Sequence, residues 1–175
     1  MTHSAEIAQL GAEVLRLQAQ TVTDFTAPQF LSLVSQMQTI MEQANGVGIA
    51  APQIGQSWRI VIVASRPTSR YPLAPLMPAT LMVNPEFTIL NDQLHKDWEG
   101  CLSVPGIRAL VPRYQAISVN YQNLQGEFCQ TQLTDFPARV FQHEFDHLIG
   151  LVYLDRVESN ADIIAESEFF KRIAA

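Results

Sequence analysis

The sequence predicts an α+β fold, with mostly antiparallel strands packed around a central helix, one helix N-terminal to the sheet and one at the C-terminus. Three observations predict it. Strand-like segments follow one another without helices between them, which argues against a parallel βαβ layout. Two of them, in "AISVNYQNLQGEFCQTQL", flank a turn near Asn123 to Gly126 and read as an antiparallel hairpin. Helical periodicity falls outside that strand cluster. The chain has 175 residues. That length suits one domain, 1–175, able to bury about 70% of the surface its unfolded form exposes.

The opening 25 residues have weak periodicity and read as partly irregular. Over "TAPQFLSLVSQMQTIMEQANG", residues Phe30, Val34, Met37, Met41 and Ala44 recur at helical spacing. Thr26 is the expected cap, Pro28 suits the first turn, and Gly46 stands where a helix ends. "GVGIAAPQIGQS" is a loop by its glycines and proline. "WRIVIVA", Trp58 to Ala64, is β-branched and strand-like. Pro67, Pro72, Pro75 and Pro78 then predict a long loop over 65–80, where Arg66 and Arg70 read as solvated charges. "LMVNPEFTIL" resumes strand character before the hairpin. "DFPARVFQHEFDHLIG" is the central helix, with Asp135 as its expected cap, Pro137 in its first turn and Gly150 at its end. "LVYLDR" is a short strand-like segment. "SNADIIAESEFFKRI" reads as a last helix, with Ser159 and Asp162 at capping-box spacing.

The formal net charge is −6 and there is no basic run, which argues against a nucleic-acid footprint. "MTHSAEIAQLGAEV" lacks the basic start and apolar block of a signal peptide. No apolar run reaches the ~18–20 residues of a membrane span. The expectation is a cytoplasmic protein without a membrane partner. A disulfide between Cys101 and Cys129 is disfavoured in a reducing cytosol, and Cys129 reads as a small half-buried strand residue.

Three stretches can carry chemistry. In "FQHEFDHLIG", His143 and His147 lie four residues apart, so a helix presents both imidazoles on one face. Glu144 projects beside them and could take a proton from water, the H-E-x-x-H arrangement of metal-dependent hydrolases. Two satisfied histidines on a buried helix are the bland alternative. Asp146 could orient an imidazole, or anchor the helix in an ion pair with Arg113 as a possible mate; the second reading is preferred. In "WEGCLSVPG", Cys101 is a candidate third ligand, since catalytic metal sites use three protein ligands and one open position. Gly100 lets the backbone approach closely, and the Leu102 N–H is a candidate donor to an oxyanion. Alone, Cys101 would read as a small buried hydrophobe. "NGVGIAAPQIG" contains G-x-G-x-x-A, but a helix precedes it and a strand follows, the reverse of a dinucleotide fingerprint. Gln53 offers an amide N–H₂ to an oxyanion, or is a plain turn residue.

Together these stretches resemble the signatures of the peptide deformylase family. The matches are Gly46, Gly48, Ala50, Ala51 and Gln53; Glu99, Gly100, Cys101 and Ser103; and Gln142, His143, Glu144, Asp146 and His147. The likeness continues through "VNPE", "SVPGIRALVPR" and "LDR", over about residues 26–158. It implies removal of the formyl group from N-formylmethionyl nascent peptides, near the ribosome. It implies metal ligands at Cys101, His143 and His147, with Glu144 as general acid/base and Gln53 and Leu102 holding the oxyanion. The central helix is then a metal-binding helix. The implied ion is Fe²⁺, and the donor set also allows Zn²⁺, Ni²⁺ or Co²⁺.

For the peptide, Gly46, Val47, Gly48 and Gly100 are expected to bracket an extended chain through main-chain hydrogen bonds. Val47, Leu102, Phe136 and Val140 are candidates for an apolar methionine pocket, and the resemblance adds Arg108 as a support for the peptide backbone. The proline-rich loop looks longer than a compact member needs. The C-terminal helix has no basic face for docking on ribosomal RNA. Two other readings stay open: a zinc endopeptidase with Glu166 or Glu168 as third ligand, and a non-catalytic metal- or peptide-binding domain.

Overall fold

The computed structural model describes residues 6–173, so residues 1–5 of the segment read for a targeting block lie outside it. Six strands form one antiparallel sheet: β1 (Gly48–Ala50), β2 (Ile60–Ser65), β3 (Met77–Cys101), β4 (Val104–Gln122), β5 (Phe128–Thr134) and β6 (Ile163–Ala165). They run in the order β1-β2-β3-β4-β5, with β6 also paired to β4. Three α-helices accompany the sheet: α1 (Pro28–Gln43), α2 (Asp135–Leu148) and α3 (Glu166–Ile173). The α+β class and antiparallel sheet are as predicted. No helix among the described residues is long and apolar enough to cross a membrane.

Two apolar clusters hold the layers together. α1 buries Phe30, Leu33, Met37 and Met41 against Ile49, Ile60 and Ile62. α2 buries Ala138, Phe141 and Leu148 against Val61, Val63, Ile117 and Val119, and packs on β1, β2, β4 and β5. Every residue of β2 is buried, because α1 covers one face and α2 the other. This explains its unbroken β-branched run. The predicted hairpin is present, with Ala116 opposite Thr134 and Gln122 opposite Phe128.

Several elements differ from expectation. α1 begins at Pro28 after Ala27, and Thr26 does not cap it; its hydroxyl instead donates to Asp24 Oδ1 (2.8 Å). No side chain caps α2, where Asp135 has a left-handed φ of 50°. The proline-rich loop is shorter than 65–80, because β3 already begins at Met77 and includes Pro78. "LVYLDR" is not a strand: Asp155 accepts the Val152 N–H (2.8 Å) and closes a 3-10 turn over Tyr153–Arg156. The final helix is eight residues, not the whole of 159–173. Ser159 caps a separate 3-10 turn, Asn160–Asp162, and Ile163–Ala165 is drawn off as β6 by the free edge of β4. Within the irregular opening segment, Glu13–Arg16 makes one further 3-10 turn.

Candidate active site

Three segments meet at the C-terminal end of β3. α2 presents His143 and His147 on one face, their ring centroids 5.4 Å apart. Cys101 ends β3, where the pairing with β4 shifts register, and its Sγ lies 3.3 Å from His147 Nε2. One ligand atom from each of these three residues falls within 4.8 Å of the others. The third segment is a 3-10 turn, Ala51–Ile54. The Ala50 N–H donates to Gln53 Oε1 (2.8 Å), which turns the amide nitrogen the other way. That nitrogen donates to Ser103 Oγ (3.3 Å) and toward Cys101 Sγ (3.5 Å).

A buried ionic network supports the cluster. His143 Nδ1 donates to Glu99 Oε2 (2.9 Å), which leaves Nε2 for the ligand cluster. Arg113 grips both oxygens of Glu99 (2.9 and 3.0 Å), and Arg139 Nη1 donates to Oε1 (2.8 Å). Arg113 also donates to Asp146 Oδ2 (2.6 Å), and Arg156 holds the same carboxylate. Asp146 therefore anchors α2 through Arg113, as expected, and Glu99 is the carboxylate that orients an imidazole.

Burial opposes ionisation of Glu99, but Arg113 and His143 overcome it and hold the carboxyl well below its usual range. Burial likewise opposes a Cys101 thiolate, yet His147 and His143 pull its pKa well down. For His143 burial favours the neutral ring, and the Cys101 charge outweighs it. Glu144 is different. Its burial dominates and lifts it to about 7, against the lowering influence of His143 and His147. Glu144 Oε2 and His147 Nδ1 are both buried without a hydrogen-bond partner among the described residues. A Cβ at position 48 would collide with Glu144 Oε1, so only glycine admits that carboxylate.

Gln53, Glu99, Cys101, His143 and Glu144 open into one cavity. Gly46, Val47, Gly48 and Gln53 line one side, Gly100, Cys101 and Leu102 another, and Phe136, Val140, His143 and Glu144 the α2 side. All four candidates for an apolar pocket are thus together. Arg108 is the exception. Its buried guanidinium donates to Glu166 Oε1 (3.1 and 2.6 Å) and to the Tyr71 hydroxyl (3.0 Å), behind Gly100 rather than in the cavity. A Cβ on Gly100 would strike it. Glu166 is thereby committed to Arg108 and Glu168 to Lys171, so neither belongs to the histidine cluster proposed for them as a third ligand. Both cysteines are free thiols, and Cys129 is a partly buried β5 residue, as expected.

The structure adds cavity residues that the sequence did not disclose. Arg70 and Tyr71 enter from the proline-rich loop, with the Tyr71 ring centroid 4.8 Å from that of Phe136. No local pattern marks a loop residue as a pocket wall. Arg139 also lines the cavity, and here a signal existed: it lies four residues before His143, on the same helical face.

The characteristic sequence pattern of polypeptide deformylases matches residues 4–162. Peptide deformylase 2 of Nostoc sp. is 50% identical over 163 residues, 93% of this chain and 91% of that one. Peptide deformylase 2 of Shewanella oneidensis is 50% identical over 150 residues, 86% of this chain and 82% of the other. The Met-Ala-Ser-bound class I type b peptide deformylase from Acinetobacter baumannii superposes with a TM-score of 0.85 at 43% identity, over 90% of this chain and 100% of that one. From the ligand cluster, the shared sequence and the shared fold, the chain belongs to the polypeptide deformylase family.

Proposed function

We propose that this chain is a metal-dependent hydrolase that removes the N-formyl group from N-formylmethionyl nascent peptides and releases formate. Residues 1–175 act as one catalytic domain in the cytoplasm, with α2 as its central metal-binding helix. The observation that carries this reading is one thiol and two imidazoles, their ligand atoms within 4.8 Å, with Cys101 and His143 lining a cavity together with Glu144 and Gln53.

The residues fit a bound divalent ion. One sulfur and two nitrogens suit a borderline-soft cation, and the Glu99 hydrogen bond holds His143 in the tautomer such a ligand needs. Cys101, His143 and His147 would hold it. Fe²⁺ is the proposed resident ion, with Zn²⁺, Ni²⁺ or Co²⁺ compatible with the same donors. When bound, such an ion supplies Lewis-acid polarisation and lowers the pKa of water toward ~7.

The chain's own residues do the rest. Glu144 takes a proton from the attacking water as the new C–O bond forms at the formyl carbon. It delivers that proton to the departing amine nitrogen as the C–N bond breaks, leaving formate and a free methionyl peptide. The Gln53 amide and the Leu102 backbone N–H donate to the developing oxyanion, each such donor typically contributing about 10²–10³ in turnover. Gly46, Val47, Gly48 and Gly100 bracket the peptide main chain, and Val140 borders the methionine side chain. Arg108 acts indirectly, by bracing the strand at Gly100. The substrate is met as it leaves the ribosome, without direct nucleic-acid binding.

The Acinetobacter neighbour binds Met-Ala-Ser, the peptide that deformylation of formyl-Met-Ala-Ser would leave. The test is formate release from that formylated tripeptide by the Fe²⁺-loaded enzyme. Steady turnover is expected, with Cys101→Ser losing both metal and activity. No formate with any of the four ions would overturn the reading.

A further inference from the structure

A second hollow lies on the far side of the cavity wall, lined by residues that include His95, Asp97, Tyr114 and Asp135. Phe136 and Arg139 are the two side chains that line both hollows. They form the partition between them. Phe136 is braced by Tyr71, whereas Arg139 is pinned at its tip. Its Nη1 donates to Glu99 Oε1 (2.8 Å) and Val111 O (2.7 Å), and its Nη2 to His95 O (2.6 Å). A guanidinium held by one carboxylate and three carbonyls of β3 and β4, Asp97 O (3.4 Å) being the third, cannot swing aside without leaving buried polar groups unpaired.

We propose that Arg139 is the end wall of the side-chain pocket and sets the longest first residue the enzyme accepts. This rests on the deformylase reading, in which the apolar cavity takes the side chain of the formylated residue. Methionine's unbranched chain reaches the wall; a longer one has to displace a guanidinium tied down at both terminal nitrogens. The boundary is rigid because the residue that makes it is tied to the strands, not because the pocket is tightly filled.

Removing the wall need not dismantle the metal site. Glu99 keeps both hydrogen bonds from Arg113, and its other oxygen keeps the His143 Nδ1 proton. Selectivity is therefore separable from metal binding.

The experiment compares kcat/KM for formyl-Met-Ala-Ser with that for formyl-2-aminooctanoyl-Ala-Ser, which carries a longer unbranched side chain. The proteins are metal-loaded wild type, Arg139→Ala and Arg139→Met, with metal content measured for each. Arg139→Ala joins the two hollows and is expected to shift the ratio toward the longer substrate by about tenfold or more, at unchanged metal stoichiometry. Arg139→Met refills the space and is expected to shift it less than about threefold. If Arg139→Ala does not fold, Arg139→Gln, shorter but still able to donate to Glu99, is expected to give an intermediate shift. A ratio in Arg139→Ala, or in Arg139→Gln where that variant takes its place, within twofold of wild type overturns the proposal. So does equal relaxation in Arg139→Met and Arg139→Ala. A wild-type enzyme that releases no formate from formyl-Met-Ala-Ser refutes the deformylase reading itself, a result distinct from an unchanged ratio in an active enzyme.

Discussion

Strand β3 has two contrasting regions. From Glu86 to Asp97 it is almost wholly exposed, and its charges pair at the surface: Lys96 donates to Glu158 (3.0 Å) and Asp162 (2.7 Å). A few residues on, Glu99 is buried among two arginines and an imidazole, and Cys101 joins the histidine cluster. Both regions pair the same two strands and both contain ion pairs. Burial separates them. In water an ion pair is screened and costs side-chain entropy, so it contributes little. In the interior each charge depends on its partners, and losing one strands the others. The exposed stretch can vary while the buried end keeps the Cys101 thiol in register with the two imidazoles.

The comparison breaks most sharply at the reacting end. Glu144→Ala is expected to retain its metal and lose about 10²–10⁴-fold in kcat, checked by formate release alongside metal analysis. A nearly normal rate would remove the carboxylate from the proton path.

Glu99→Gln probes the support beneath the ligands. It leaves Arg139 without its buried counter-charge and Arg113 with Asp146 alone, and is expected to cost about 3–5 kcal/mol by urea unfolding. Metal affinity should fall roughly 10–100-fold through the loss of His143 orientation. The same residue predicts a pH dependence. Its folded pKa is depressed, so the stability it contributes is complete above the unfolded value of about 4.5 and is lost as pH falls below it. Unfolding midpoints at pH 7 and pH 4 should differ less in Glu99→Gln than in the parent; an equal drop in both would place the acid sensitivity elsewhere.

Gly48→Ala tests the fit between β1 and α2. The added methyl must push Glu144 aside, and displacement of that size commonly lowers turnover by up to about 10²-fold. The expected signature is a fall in kcat with the metal still bound. At the other extreme, Lys96→Ala should leave both the thermal midpoint and turnover almost unchanged. A large loss there would erase the contrast between the two ends of the strand.

Much of this molecule was legible in its residues. The periodicity of α1 and α2, the β-branched run of β2 and the hairpin at Asn123 to Gly126 are local patterns, and local patterns survive folding when the surroundings agree with them. The spacing of His143 and His147 was readable because a helix converts four residues into one face. The middle of β3 was not readable, because a strand exposed on both faces has no alternation to display. Nor was β6, which exists because the edge of β4 accepts it.

The sequence by itself determined the helix that sets His143 and His147 on one face and the fold class, both of which follow from periodicity and residue chemistry within single segments. Only the tertiary structure decided that Glu99 steers His143, that Arg108 stands behind Gly100 and that Arg139 divides two hollows. Those are meetings between residues on different elements, Glu99 and His143 lying 44 positions apart, or between separate cavities, and burial, not spacing, makes a charge seek such a partner.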